Sequence, residues 1–237
     1  MSANGSSHTT VDPLDTEYIV RDYFHEQLKR KGYLWSTNRV VTVNCAANGS
    51  PNNRNVNLRL NANKRSKICE SLCSLSNDLL SSFGPNIVEM CERLSLPSPS
   101  SSDSTINWSS IGYQSFKGVA NELFCEGIKW GHILTLFVFS SELAFHSGVS
   151  KGHPSVVDDI ALWLCLYLND NILQWISDHG GWETFILYAN GADEIDSAFV
   201  RSRRNWSLGK FLFVGGSLGL LGAITAAGLL FITKKFS

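Results

Sequence analysis

The stretch that decides the fold is residues 121–139, Asn121-Glu122-Leu123-Phe124-Cys125-Glu126-Gly127-Ile128-Lys129-Trp130-Gly131-His132-Ile133-Leu134-Thr135-Leu136-Phe137-Val138-Phe139. Gly127 and Gly131 bracket Ile128-Lys129-Trp130, so the chain reads as the end of one helix, a glycine break and the start of another. Over 133–139 only Thr135 is polar. A helix with no polar face belongs inside a protein or a membrane. At about 1.5 Å per residue, so short a run cannot cross a hydrocarbon core of about 30 Å. It is therefore expected to be the buried central helix of a bundle.

Helical stripes lie on both sides of this stretch. Tyr113, Phe116, Val119, Ala120, Leu123 and Phe124 form one that ends at Gly127. Ile68, Leu72, Leu75, Leu79 and Phe83 form another, which Gly84-Pro85 is expected to end, with Ile87, Met90 and Leu94 opening a short successor. Ile19, Val20, Tyr23, Phe24 and Leu28 form a third, with Asp15 or Thr16 as its cap and Gly32 as its stop. Downstream, Ser155 and Asp158 have capping-box spacing for a helix carrying Val156, Ile160, Trp163, Leu164, Tyr167 and Leu168. Ile172, Trp175 and Ile176 continue it into Gly180-Gly181, and a last helix follows over 182–188. No segment alternates with period two, so the expected fold is all-α: about eight helices around a central hydrophobic one, spanning 15–200. Residues 1–14 read as disordered. Residues 36–67, with nine asparagines and no aromatic side chain, read as a long flexible loop, and the Pro- and Ser-rich 96–105 as a second.

Residues 211–233 carry no charge over 23 positions, long enough to span a bilayer, with Arg201, Arg203, Arg204 and Lys210 before them and Lys234 and Lys235 after. The expectation is a basic linker over 201–210 and a C-terminal transmembrane tail anchor. Gly215, Gly219 and Ala223 repeat at the spacing of a membrane helix-packing stripe.

A net charge of -1 gives no electrostatic reason to expect nucleic acid. Six scattered cysteines, with no Cys-x-x-Cys pair, read as reduced cytosolic thiols. Gly148-Val149-Ser150-Lys151-Gly152 matches Gly-x-Ser-x-Gly, but a nucleophile elbow needs a strand before it, and here a helix precedes. The six histidines never pair with Cys or a carboxylate at ligand spacing. Cys69 and Cys73, one helical turn apart, suit a thiophilic metal less well than a packed helix. Neither cofactor nor metal nor enzymatic activity is expected.

Three motifs together resemble the B-cell lymphoma 2 (Bcl) family of apoptosis regulators. Asn121-Glu122-Leu123-Phe124 with Gly127 and Trp130-Gly131 resembles the first homology region, and Gln174-Trp175-Ile176-Ser177-Asp178-His179-Gly180-Gly181-Trp182-Glu183-Thr184-Phe185 the second. Asp22-Tyr23-Phe24 with Leu28 and Lys31-Gly32-Tyr33 resembles the fourth, found in survival-promoting members. The resemblance implies a surface groove that takes the amphipathic death-motif helix of a partner through apolar anchors. By alignment its lining is Leu79, Phe83, Ile87, Met90, Val119, Leu123 and Phe139, with Glu122, Lys129, Trp130, Gly131 and His132 completing the site. Gly131 would let the ligand backbone approach closely.

Two departures from the family pattern bear on function. After Trp-Gly the family usually has an arginine that pairs bidentately with a ligand aspartate; here the residue is His132, and Lys129, where asparagine is usual, would supply a compensating cation. An ordinary histidine, pKa about 6.5, is mostly neutral at pH 7 and lacks the planar fork, so weaker or pH-dependent pairing is expected. In the chain's own death-motif helix, Leu72-x3-Ser76-Asn77-Asp78, the invariant acid has become Asn77, which suits that helix poorly to being released as a ligand.

The expected function is that of a membrane-anchored survival factor sequestering death-motif helices at the mitochondrial outer membrane or endoplasmic reticulum, alone or as a homo- or hetero-dimer. The alternatives are a pore-forming executioner of the same fold and a tail-anchored adaptor with a closed groove.

Overall fold

In the computed structural model of the chain, the residues described are 11–36, 60–94 and 108–191. Their regular elements are all helical: α1 (Pro13–Arg30), α2 (Ala62–Arg93), α3 (Trp108–Leu123), α4 (Trp130–Ala144), α5 (Ser155–Tyr167), α6 (Leu173–Asp178) and α7 (Trp182–Ala189). A π-helical turn, Phe145–Val149, prolongs α4, and a second, Leu168–Ile172, joins α5 to α6 without a break.

α4 is the core. Every residue from Ile133 to Ala144 is buried, and α1, α2, α3 and α5 all pack against it. α2 also packs on α1 and α7, and α1 on α5. The stripe residues of α1 are buried as their spacing requires, and the helix stops at Gly32 (φ 81°), where the Tyr33 amide donates to the Leu28 carbonyl at 2.9 Å and closes a Schellman-type end.

α2 corrects one expectation. The helix does not end at Gly84-Pro85 but runs through them to Arg93. The proline removes one backbone hydrogen bond, at a cost of about 3 kcal/mol. Leu72 and Leu79 before it and Ile87 after it are all buried, and each such side chain contributes about 1.5–3 kcal/mol, so packing on both sides outweighs the break. The expected 36–67 loop is also too long at its C-terminal end, because α2 begins at Ala62. Asn61, read as loop, is its cap and accepts from the Lys64 amide at 2.9 Å.

Two further caps fall elsewhere than expected. Asp12 caps α1, accepting from the Leu14 amide at 2.9 Å with Pro13 at the first helical position. Ser155 and Asp158 form no capping box: the Asp158 carboxylate accepts instead from the Trp35 indole at 2.9 Å, and α5 starts from His153 and Pro154 carbonyls. Ser150 sits in a turn between helical elements, with Gly148 packed against Val157, so no strand precedes it.

The chain divides after Glu194 into two units, and the described residues belong to the first. Of the start expected to be disordered over 1–14, Pro13 and Leu14 already belong to α1 and 1–10 lie outside the described residues, as do 37–59 of the first expected loop, the second loop 96–105, the linker 201–210 and the membrane helix 211–233. Among those described, no helix is long and apolar enough to cross a membrane.

Candidate functional site

Three elements carry the candidate residues. Leu79, Phe83, Ile87 and Met90 recur at four-, four- and three-residue steps and so share one face of α2. Val119, Glu122 and Leu123 lie in the last turns of α3, and Lys129 to His132 with Phe139 belong to α4 and its N-cap. Leu79, Ile87, Val119, Leu123, Trp130, Gly131 and Phe139 are buried, Phe83, Met90 and His132 are half-buried, and Glu122 and Lys129 are exposed. The apolar surface left for a partner therefore concentrates on Phe83 and Met90 of α2. On α3, Ile111 is a large exposed side chain that the stripe analysis did not single out.

The α3–α4 corner is built by one glycine. Gly127 has φ 102°, a left-handed conformation that a side chain strains, and nothing lies within 4 Å of where its Cβ would be, so backbone rather than space requires glycine there. Lys129 then runs extended into α4 and makes no capping bond with its side chain. His132, in the first turn, folds back so that Nδ1 lies 2.9 Å from the Gly127 carbonyl, with the ring edge-on to Phe124 at 6.1 Å. A carbonyl only accepts, so Nδ1 carries the hydrogen and is not available to a ligand. In the neutral ring Nε2 is an acceptor and repels a carboxylate; only the imidazolium offers it a hydrogen.

Trp130 faces inward. Its ring meets Trp175 at 5.1 Å, Phe185 at 5.5 Å and Trp182 at 6.1 Å, which ties the start of α4 to the α6–α7 corner. That corner turns on Gly180 (φ 87°) and Gly181 (φ 79°), and the Gly181 amide closes α6 on the Ile176 carbonyl at 2.8 Å. Phe139 stacks on Phe116 of α3 at 6.1 Å, so it forms the floor beneath the candidate lining.

Several contacts that hold these walls are not expected from sequence. The Tyr23 and Ser76 hydroxyls share a buried hydrogen bond of 2.9 Å between α1 and α2, and burial first of all pushes the Tyr23 phenol well above its usual range. Ser76 and Leu72 are fully buried while Asn77 and Asp78 face solvent, so the death-motif-like segment of α2 is packed into its own bundle. At the far end of α4, Glu142 is buried and accepts from Lys31 Nζ at 2.8 Å through Oε2, which also lies 3.8 Å from His146 Nε2; its Oε1 has no partner. Asp15 and Thr16, expected as caps, instead accept from the Leu60 amide at 3.1 Å and the Trp182 indole at 3.1 Å. Gly112 lets α3 approach Trp163 so closely that an added Cβ would lie 2.3 Å from its Cη2. For some of them the sequence signal is a polar residue on an apolar helix, such as Glu142 on α4.

The chain has known relatives. Residues 72–182 match the model of a family described as apoptosis regulator proteins, Bcl-2 family. The chain is 47% identical over 81 residues to human Bcl-2-like protein 1, covering 34% of each. It is 37% identical over 123 residues to Apoptosis regulator R1 of Xenopus laevis, covering 52% of each. The matched part thus spans from about a third to about half of these relatives' length. Among solved structures, the crystal structure of Trichoplax adhaerens trBcl-2L2 bound to trBak BH3 aligns with a TM-score of 0.56 at 29% identity, covering 74% of this chain and 97% of that one.

Proposed function

The chain carries a Bcl-2 family domain and resembles Bcl-x, the family's survival-promoting type, and on that premise we propose that it restrains apoptosis by holding the amphipathic death-motif helices of pro-apoptotic relatives in a groove between α2 and α3, over α4. The observation that carries the proposal is the alignment with a relative whose structure was solved with a BH3 segment bound. The half-buried Phe83 and Met90 support it, since they offer apolar surface at the helical spacing such a ligand uses. The buried Leu72 and Ser76 support a receptor rather than a pore-forming executioner, because releasing α2 as a ligand would expose both. Family regulators of this kind are not enzymes, and the mechanism is competitive sequestration, governed by differences in affinity among partners. Residues 211–233 would anchor the chain in the mitochondrial outer membrane or endoplasmic reticulum with the domain in the cytosol, where homo- or hetero-dimers would form.

The test uses the whole chain in dye-loaded liposomes, titrated with a fluorescent BH3 peptide of Bak. Peptide binding with the dye retained is expected. Dye release would favour the executioner, and absence of both binding and release a closed groove.

A further inference from the structure

Tyr167 is the last residue of α5 and is 2% exposed; the Asn171 side-chain amide, from within the π turn that follows, donates to its carbonyl at 2.9 Å. The Tyr167 ring lies stacked on Phe124, with centroids 5.9 Å apart and planes inclined by 19°, and edge-on to Phe116 at 6.5 Å. Its hydroxyl donates to the Asn121 side-chain carbonyl near the end of α3 at 3.0 Å. Burial, and then the neighbouring Tyr113, push the phenol up to about 12, so the hydroxyl keeps its hydrogen at neutral pH.

Phe124 passes this placement on. Its carbonyl accepts from the Gly127 amide at 3.0 Å, the Gly127 carbonyl meets His132 Nδ1 at 2.9 Å, and the His132 ring returns edge-on to Phe124 at 6.1 Å. The α3–α4 corner is thus a closed circuit of two hydrogen bonds and one ring contact, braced from α5 by the Tyr167 ring.

We infer that Tyr167 is a positioning residue for partner binding: buried and out of the partner's reach, it sets Phe124 and through it the α3–α4 corner and the tilt of His132. This rests on a partner helix binding between α2 and α3. Ring pairs are directional, because the edge of one aromatic carries the opposite partial charge to its face. An aliphatic side chain at 167 fills the space but gives Phe124 no face to lie on. Phenylalanine keeps the face and drops only the Asn121 bond.

The experiment uses the whole chain in detergent, labelled with nitrogen-15 at its six histidines, at a pH of about 8 where an ordinary imidazole is neutral. The His132 signals are those missing from His132→Gln. In the parent chain the hydrogen is expected on Nδ1, and in Tyr167→Leu shared between both nitrogens. The same Tyr167→Leu chain should bind a fluorescent BH3 peptide of Bak about tenfold more weakly, while Tyr167→Phe should keep the parent tautomer and recover affinity to within about threefold. Cys165→Ala controls for lost stability: it empties a buried position two residues earlier, on the opposite face of α5, and should move neither readout. Affinity unchanged in Tyr167→Leu, affinity lost equally in Cys165→Ala, or an imidazole signal unmoved by Tyr167→Leu overturns the inference. If the parent chain binds no peptide, the groove reading falls and the role toward a partner with it, and the imidazole signal alone decides whether Tyr167 holds His132.

Discussion

At the start of α4, His132 leans on the Gly127 carbonyl beside exposed Lys129; at the far end, just past its last turn, His146 lies near a buried carboxylate that Lys31 already neutralises. The first is placed by a local backbone turn at the α3–α4 corner. The second belongs to a desolvated cluster joining α1 to the π turn, with Lys31 Nζ also 4.7 Å from the Phe145 ring centroid. The difference predicts what each end controls: changes at the far end should appear as lost stability, and changes at the near end as altered affinity.

The largest effect belongs to the far end. Lys31→Met leaves the Glu142 carboxylate buried without its cation, and the unfolding free energy in urea should fall by about 3–5 kcal/mol. Adding Glu142→Leu should recover most of that loss. A fall of less than about 1 kcal/mol for the single variant would mean that the pair contributes no more than an exposed one and that the comparison is drawn too sharply.

Gly127→Ala forces a side chain into a left-handed conformation and should lower stability by about 1–2 kcal/mol. Because the same carbonyl orients His132, peptide affinity should fall as well, which calorimetry would detect. A stability loss with affinity unchanged would separate the turn from the site.

The smallest effect should be confined to affinity. His132→Arg restores a permanently charged fork and should tighten binding of a death-motif peptide about tenfold at pH 7.5, or about 1.4 kcal/mol, leaving the urea midpoint unmoved. In the parent chain a protonated His132 offers the ligand's carboxylate a hydrogen that the neutral ring does not, so affinity should be higher at acid than at alkaline pH, and the arginine variant should be flat. A flat parent profile would remove His132 from the ligand's carboxylate.

The fold was legible where its determinants are local. The apolar run of α4, the stripes of α1, α3 and α5, and the stops at Gly32 and Gly180-Gly181 all depend on neighbours within a turn or two. The misread caps have partners far along the chain: Thr16 meets Trp182, and Asp158 meets Trp35. Pro85 was misread for a related reason, since its local penalty is offset by side chains packed against other helices. The candidate site was legible as a set of types and spacings through its resemblance to a family. What spacing could not supply is that most of the apolar lining is already buried, that Trp130 closes the α6–α7 corner, and that His132 has one nitrogen occupied.

The uninterrupted course of α2 has a mechanical consequence. At about 1.5 Å per residue its 32 residues carry the helical path over about 48 Å, with Pro85, where one backbone hydrogen bond is missing, between its two halves. Phe83 lies about two turns beyond Ser76 on the same helix, so work done in admitting a guest beside Phe83 and Met90 is also felt at the Tyr23–Ser76 bond that ties α2 to α1.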